Sequence, residues 1–313
     1  MARLKTLTRL GGLVGIGALA LLAACNDGDD KDTLVLAIQP GATQEELTDQ
    51  ATELEEFLEA RVDANIEIRF PTSYGGVIES LRFGHADAAF MGSWPASLAA
   101  EKAEAEIELA EIREVIIGQD KAEEPYYYSY WIVPKDSPYT TLEELEGKRA
   151  AFPSALSTSG FVAPMARMKS LGLITPEEGK PANPQDFFGE VHFAGGYSQA
   201  WEALQAGQVD VSVIAGDVPE DLYREVLANT RIIEEQGPIP SHAVAFSKDL
   251  EEPLRSDLRA ALMELGDEEH RELMRKFVSG IFLRFQETTT EEHLGSLNAF
   301  LDETGLTFTE KID

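Results

Sequence analysis

The stretch AAFPSALSTSGFVAP, from Ala150 to Pro164, indicates more about the fold than any other part of this 313-residue chain. Its apolar start predicts a short strand, and Phe161–Met168 predicts a helix. The loop between them, Ser157–Gly160, is rich in hydroxyl groups, and its glycine is expected to let the backbone approach a bound group. Backbone N–H groups at a helix start are unpaired, so a strand, a hydroxyl loop and a helix in this order can hold an anion. An ordinary helix cap with spare serines is the alternative that this stretch leaves open.

The N-terminal segment predicts export and a lipid anchor. Residues 1–24 join a basic end to an uncharged apolar run, Leu10–Ala24, as a secretory signal peptide does. The run is too short to favour a spanning helix. Leu22–Cys25 resembles a bacterial lipobox, so we expect Cys25 to be acylated and residues 25–32 to form an acidic tether. A soluble secreted protein with one free thiol is the alternative.

The charge of the chain excludes some partners. The formal net charge is −30, and removing the three basic residues of the signal leaves 23 Lys and Arg against 56 Asp and Glu, or −33. Such a surface argues against nucleic acid as a partner. Because Cys25 is the only cysteine, no intrachain disulfide can form.

Strand and helix patterns alternate after the tether. Thr33–Ile38 is a nearly continuous apolar run that predicts a buried strand, and Gln44–Arg61 carries the apolar stripe of an amphipathic helix. Asn65–Phe70 alternates as a strand does. This order predicts an α/β sheet with crossover helices.

A helix–glycine–strand pattern then occurs twice, in Glu79–Phe90 and in Glu202–Val213. Both copies share a tyrosine five residues before the glutamate, a glycine that suits a left-handed helix end, and an aspartate three residues later: Tyr74, Gly84 and Asp87, then Tyr197, Gly207 and Asp210. These matched offsets favour two lobes of similar build, with coincidence as the alternative.

The rest of the chain predicts how the lobes connect. Pro125–Ser137 has the aromatic and β-branched content of a strand that crosses between lobes, and Ala243–Ser247 suits the return crossing. Leu250–Leu301 is expected to be helical. We therefore assign residues 33–129 and 238–313 to lobe 1, and residues 130–237 to lobe 2.

Several of these segments resemble one known family, the phosphonate, phosphite and phosphate solute-binding proteins of ABC transporters. Tyr74–Gly84 resembles that family's Y-x-x-x-I-E-A-L-R-x-G segment, and Trp131–Ser137, Leu142–Lys148 and Ser157–Pro164 resemble its K-D-S, L-E-D-L-K-G-K and S-T-S-G-x-x-x-P run. The resemblance implies a type II periplasmic-binding fold. In that fold two α/β lobes, each a mixed sheet flanked by helices, close on a ligand in the cleft between them.

The resemblance also implies which residues bind. Ser157, Thr158 and Ser159 would hold the oxyanion at the helix start, while Tyr74 and Tyr127 would close the opposite side. These are neutral donors, which suit an anion that brings no counter-charge.

Three positions depart from the aminophosphonate binders of the family. Tyr197 stands where they carry a histidine, Asp217 keeps a carboxylate that would meet an ammonium, and His242 replaces a second carboxylate. The loss of that carboxylate weakens the case for an amine-bearing ligand. Asp217 could accept a hydrogen bond from a protonated oxyanion, and His242 would favour an anion if it were protonated. A loop histidine bonded to the backbone is the alternative for His242.

The sequence thus predicts a monomeric, lipid-anchored solute-binding protein, in the periplasm or at the cell surface, that delivers a phosphorus oxyanion to an ABC permease and ATPase. An anion sensor for a membrane kinase is an alternative. A serine enzyme is less favoured, since the sequence has no G-x-S-x-G elbow. The five histidines stand apart without ligand spacing, so we expect no metal and no cofactor.

Overall fold

The computed structural model describes residues 31–39, 44–155, 157–175, 180, 182–276 and 281–304. The predicted signal peptide, Cys25 and residues 25–30 of the predicted tether lie outside these ranges. Within them, no helix combines the length and the apolar character needed to cross a membrane.

The first part of the chain alternates between strands and helices, as predicted. Its elements are β1 (Thr33–Ile38), α1 (Gln44–Glu59), β2 (Asn65–Arg69), α2 (Tyr74–Arg82), β3 (Ala88–Met91), α3 (Ser93–Ala103), β4 (Glu106–Ile117) and β5 (Asp120–Glu124). The middle part contains β6 (Tyr126–Pro134), β7 (Arg149–Phe152), α4 (Ala163–Ser170), β8 (Glu190–Phe193), α5 (Tyr197–Gln205), β9 (Val211–Ala215), α6 (Glu220–Asn229) and β10 (Thr230–Pro240). The last part contains β11 (Ala243–Phe246), α7 (Leu254–Glu264), α8 (Arg271–Arg275), β12 (Phe282–Glu287) and α9 (Thr290–Thr304).

These strands form two mixed sheets, one in each lobe. The first sheet has the order β12-β4-β11-β3-β1-β2, with β5 paired to β4, and the second has the order β10-β6-β9-β7-β8. Each sheet contains three neighbouring parallel strands, β3-β1-β2 in the first and β9-β7-β8 in the second. The next strand is antiparallel in both: β11 pairs with β3, and β6 pairs with β9. The predicted α/β fold of two similar lobes is confirmed. The lobe boundaries after residues 129 and 237 stay a prediction.

The repeated pattern has the same physical role in both lobes. Gly84 and Gly207 end α2 and α5 with a φ of +68° each, which glycine adopts without a steric penalty. Asp87 accepts the backbone N–H of Val35 in β1 at 2.8 Å, and Asp210 accepts that of Arg149 in β7 at 3.0 Å. Asp87, the residue just before β3, is therefore linked to β1, and Asp210, the residue just before β9, is linked to β7.

Both faces of each sheet are covered, which explains why the inner strands are apolar throughout. Every residue of β3 and of β9 is buried. In lobe 1, Leu54 and Leu262 pack on one face of the sheet with Phe90. In lobe 2, Trp131 and Phe152 pack in a T-shaped contact with ring centroids 5.6 Å apart.

The prediction that Leu250–Leu301 is helical throughout is wrong at β12. Phe282 and Phe285 are buried in this strand, which pairs antiparallel with β4 and covers its edge. Pairing with a distant strand overrides the local helical pattern here. Strands β4 and β5 form an antiparallel hairpin over residues 106–124 that was not predicted from the sequence.

Candidate functional site

The candidate site lies where the central strands of both lobes end. Gln39 follows β1, Gly92 follows β3, and Asp217 lies two residues beyond β9. Ligands of open α/β sheets bind at such carboxyl ends, because the loops there converge. The cavity has a volume of about 140 Å³ and is lined by Gln39, Tyr74, Gly92, Pro95, Tyr127, Ser157, Thr158, Ser159, Tyr197, Asp217 and His242.

The structure brings together all eight residues that the sequence predicted for the binding site. Tyr74, Tyr127, Ser157, Thr158, Ser159, Tyr197, Asp217 and His242 line this single cavity, although they are spread over 169 positions of the chain. Their role in binding stays a prediction. Gln39, Gly92 and Pro95 complete the lining and were not predicted.

Helix starts from both lobes meet at the cavity. Tyr74 is the first residue of α2 and Tyr197 the first of α5, while Gly92 caps α3 and Ser157 caps the turn that leads into α4. A helix start presents N–H groups that have no partner within the helix, together with the positive end of the helix dipole. Four such ends around one cavity make an anion the favoured occupant.

The hydroxyl turn is a tight, π-helical one, spanning Thr158–Val162. The Ser157 hydroxyl accepts the backbone N–H of Gly160 at 2.9 Å, so the serine is a true cap as well as a lining residue. Packing alone already requires a glycine at position 160, because a Cβ there would lie 2.2 Å from Cγ of Pro153. The expected approach of its backbone to a bound group stays a prediction.

Ser159 links two tyrosine hydroxyls at the cavity wall. Its Oγ lies 2.8 Å from the hydroxyl of Tyr197 and accepts the hydroxyl of Tyr127 at 3.2 Å. Burial, followed by the charge of Asp217, raises the pKa of both tyrosines. Both therefore stay neutral and keep their hydroxyl protons at any physiological pH.

Thr158 connects the lobes directly. Its Oγ1 accepts the backbone N–H of Trp94, in the first turn of α3, at 3.2 Å. This contact places the starts of α3 and of the hydroxyl turn against each other across the cavity. The Thr158 hydroxyl proton remains available for another acceptor.

A buried charge cluster lies behind Asp217, and sequence reasoning missed it. Arg113, with 2% of its side chain exposed, donates to Glu111 at 2.7 Å and to Asp217 at 2.5 Å. Glu111 is fully buried, and its Oε1 has no hydrogen-bond partner among the described residues. The available signal was a Glu-x-Arg pair inside the otherwise largely apolar strand β4, since residues two apart share a face of a strand.

His242 is held by the same arginine. Arg113 Nη2 lies 2.5 Å from Nδ1 of the ring, and Nε2 lies 3.3 Å from the amide nitrogen of Gln39. Burial, then the charge of Arg113 and the nearby His293, lower the pKa of His242 well below 6.5. The expectation that a protonated His242 attracts the anion is therefore corrected, because the ring is neutral near pH 7.

The family described as ABC transporter, phosphonate, periplasmic substrate-binding protein matches residues 36–293. This chain belongs to that family. It is 27% identical over 203 residues to the "Phosphate-import protein PhnD" of Mycolicibacterium smegmatis, which covers 61% of this chain and 61% of that protein.

Two further comparisons agree with the family. The chain is 25% identical over 253 residues to the "Phosphonates-binding periplasmic protein" of Escherichia coli, covering 79% of this chain and 70% of that one. The crystal structure of a binding protein component of an ABC phosphonate transporter from Pseudomonas aeruginosa superposes with a TM-score of 0.66. That superposition covers 91% of both chains at 18% identity. At this identity, the likeness concerns the fold.

The three positions expected from the resemblance to set the ligand, Tyr197, Asp217 and His242, all line the cavity. Tyr197 contacts Ser159, Asp217 is paired with Arg113, and Arg113 also contacts His242. Asp217 and His242 therefore share one arginine partner, whereas Tyr197 contacts the hydroxyl turn.

Proposed function

We propose that this protein is the extracytoplasmic solute-binding component of an ABC importer and that it captures a small phosphorus oxyanion. The observation that carries the proposal is the convergence of four helix starts and of several hydroxyl groups on one cavity. Each helix start contributes about 0.3–1 kcal/mol toward an anion, and more where it is partly buried. A hydrogen bond to a charged group contributes roughly 1.5–3 kcal/mol.

The size of the cavity supports a compact ligand. The cavity has a volume of about 140 Å³, well below the roughly 300–1,000 Å³ of pockets for drug-sized ligands. A tetrahedral anion with a hydrogen, a hydroxyl or a methyl group as its fourth substituent suits such a space. Phosphite, phosphate and methylphosphonate are the candidates.

Asp217 supports an oxyanion that carries one proton. Its side chain is 11% exposed and lines the cavity. A carboxylate repels an unprotonated oxygen but accepts a hydrogen bond from a P–OH group. Asp217 would thus distinguish hydrogen phosphate or a hydrogen phosphonate from sulfate, which has no proton to donate near neutral pH.

Capture by closure of the lobes is the mechanism we propose. The ligand would bridge the hydroxyl turn of lobe 2 and the starts of α2 and α3 in lobe 1, and its binding energy would stabilise the closed arrangement. The Thr158–Trp94 hydrogen bond supports this, because it joins the two walls at the cavity. Closure then presents a defined surface to the permease and ATPase partners.

We further propose that the mature protein is a monomer anchored by lipid at Cys25, in the periplasm or at the cell surface. The lipobox-like segment 22–25 supports the anchor. An enzyme with Ser157 or Ser159 as nucleophile is not favoured. Among the described residues, the Ser159 hydroxyl contacts two neutral tyrosines, and Ser157 accepts a backbone N–H.

A ligand panel tests the function. Isothermal titration of the mature chain with methylphosphonate, phosphite and phosphate should give saturable heat for at least one of them, and sulfate should give none. Absence of heat for all three phosphorus anions would overturn the proposal. Stronger binding of sulfate than of all three would overturn the role of Asp217.

A further inference from the structure

Arg113 lies behind the wall of the cavity and contacts two of its lining residues, Asp217 and His242, and His242 in turn contacts Gln39. Among these residues only Asp217 and His242 were expected from the sequence. The contacts among these residues determine which of their atoms can donate a hydrogen bond to a ligand, and hence which chemical group of the ligand can lie beside them. The inference rests on the proposed function, because it concerns the group beside the oxyanion.

The guanidinium of Arg113 determines the tautomer of His242. Since arginine only donates, the ring nitrogen 2.5 Å from Nη2, which is Nδ1, has to be the acceptor. The proton of the neutral ring is therefore on Nε2. The opposite tautomer would set two donors 2.5 Å apart in a buried position.

The orientation of Gln39 is fixed in the same way. The backbone N–H of Gly92 donates to its Oε1 at 2.7 Å, so the NH₂ group is the end that lies 3.3 Å from Nε2 of His242. Two N–H donors thus stand side by side at the cavity and cannot satisfy each other. An oxygen acceptor of the ligand would pair with both, whereas an ammonium would face two donors.

One oxygen of the Asp217 carboxylate is taken, because Arg113 donates to its Oδ2 at 2.5 Å. Burial raises the pKa of the Asp217 carboxyl, and the charge of Arg113 acts against that rise. Arg113 therefore holds a positive charge beside Asp217 from within the protein, at the place where an amino group of a ligand would otherwise lie. It shares that charge with the second acid of the cluster, Glu111, which is fully buried and whose Oε2 lies 3.6 Å from Nδ1 of His242.

We propose that Arg113 is the specificity-determining residue of this site, and that Gln39 and His242 form an additional donor pair for the ligand. By occupying Asp217 and fixing the Nε2–H tautomer of His242, Arg113 sets the pocket for a small phosphorus oxyanion without an amino group. Arg113 acts through its neighbours and is a positioning residue, while Gln39 and His242 contact the ligand.

Aminomethylphosphonate and ethylphosphonate test this proposal, because they have nearly the same shape and differ in an ammonium against a methyl group. Titration of the wild-type protein should show at least tenfold tighter binding of ethylphosphonate. In Arg113→Met, whose side chain is uncharged and of similar reach, Asp217 becomes available and the preference should shift toward aminomethylphosphonate by at least tenfold. In the matched variant Asp217→Asn, the preference for ethylphosphonate should remain.

A measurement on the unaltered protein covers the case in which Arg113→Met does not fold. Nitrogen-15 chemical shifts of the His242 ring, assigned with His242→Gln, should show a proton on Nε2 and a bare Nδ1 near neutral pH. A proton on Nδ1, or a wild-type preference for aminomethylphosphonate, overturns the inference alone. If the wild-type protein binds neither phosphonate and no phosphate, the proposed function fails, and this inference fails with it.

Discussion

Replacing Ser159 with alanine tests the hydroxyl turn most sharply. The Ser159 hydroxyl is 2.8 Å from that of Tyr197 and 3.2 Å from that of Tyr127, and the residue is buried. In the bound state we expect it to donate to the oxyanion. Loss of one hydrogen bond to a charged group costs roughly 1.5–3 kcal/mol, so binding should weaken about 10- to 150-fold.

The same substitution has a separate effect on stability. Two buried tyrosine hydroxyls lose a shared partner, which should lower the free energy of unfolding by about 1–3 kcal/mol. Ser170→Ala is a matched control, because that exposed hydroxyl bonds only the Arg167 carbonyl at the far end of α4. The control should leave the free energy of unfolding within about 0.5 kcal/mol of wild type.

The assay is isothermal titration with methylphosphonate at a protein concentration where both variants are folded, checked by thermal melting. The control should bind as wild type does. The reasoning is refuted if Ser159→Ala binds methylphosphonate within twofold of wild type. It is also refuted if Ser170→Ala weakens binding as strongly as Ser159→Ala does.

Two further predictions concern the surroundings of the site. The pKa of His242 lies well below 6.5 in the native state, chiefly because the ring is buried, so unfolding takes up a proton below that pH. Between about pH 7.5 and 5.5, chemical denaturation should show that wild type loses about 1.4 kcal/mol more stability than His242→Gln; an equal loss in both contradicts the assigned pKa. Gly216→Ala should lower the free energy of unfolding by about 1–3 kcal/mol, because its Cβ would lie 2.2 Å from the Ile116 carbonyl oxygen. A melting temperature equal to that of wild type would show that β4 and the end of β9 are not in this contact.

Much of the fold follows from short-range signals in the sequence. The buried runs of β1 and β9, the glycine ends of α2 and α5, and the two strand-tying aspartates each depend on a few adjacent residues. Strand β12 depends instead on a partner more than 150 positions away, Arg113 in β4 pairing with Phe282. Local patterning of Phe282–Glu287 therefore could not decide between helix and strand.

The candidate site likewise combines residues that a short motif reveals with residues that depend on distant partners. The motif around Ser157–Gly160 and the two helix-start tyrosines mark the anion-binding part, and the structure brings them to one cavity. The role of Arg113 could not be read from the sequence, because its partners Asp217 and His242 are 104 and 129 positions away. The pKa of His242 depends on burial first and on the same distant Arg113, which is why the sequence left the charge state of the ring open.

The position of a bound ligand tests the central claim most directly. We predict that a crystal structure of the mature protein with methylphosphonate places the phosphorus between the turn Ser157–Ser159 and the start of α3 at Gly92. Oxygen atoms should lie within hydrogen-bond distance of the Ser159 hydroxyl and of at least two backbone N–H groups at these helix starts. A phosphonate bound outside this cavity, or oriented with its methyl group against the hydroxyl turn, would contradict the account.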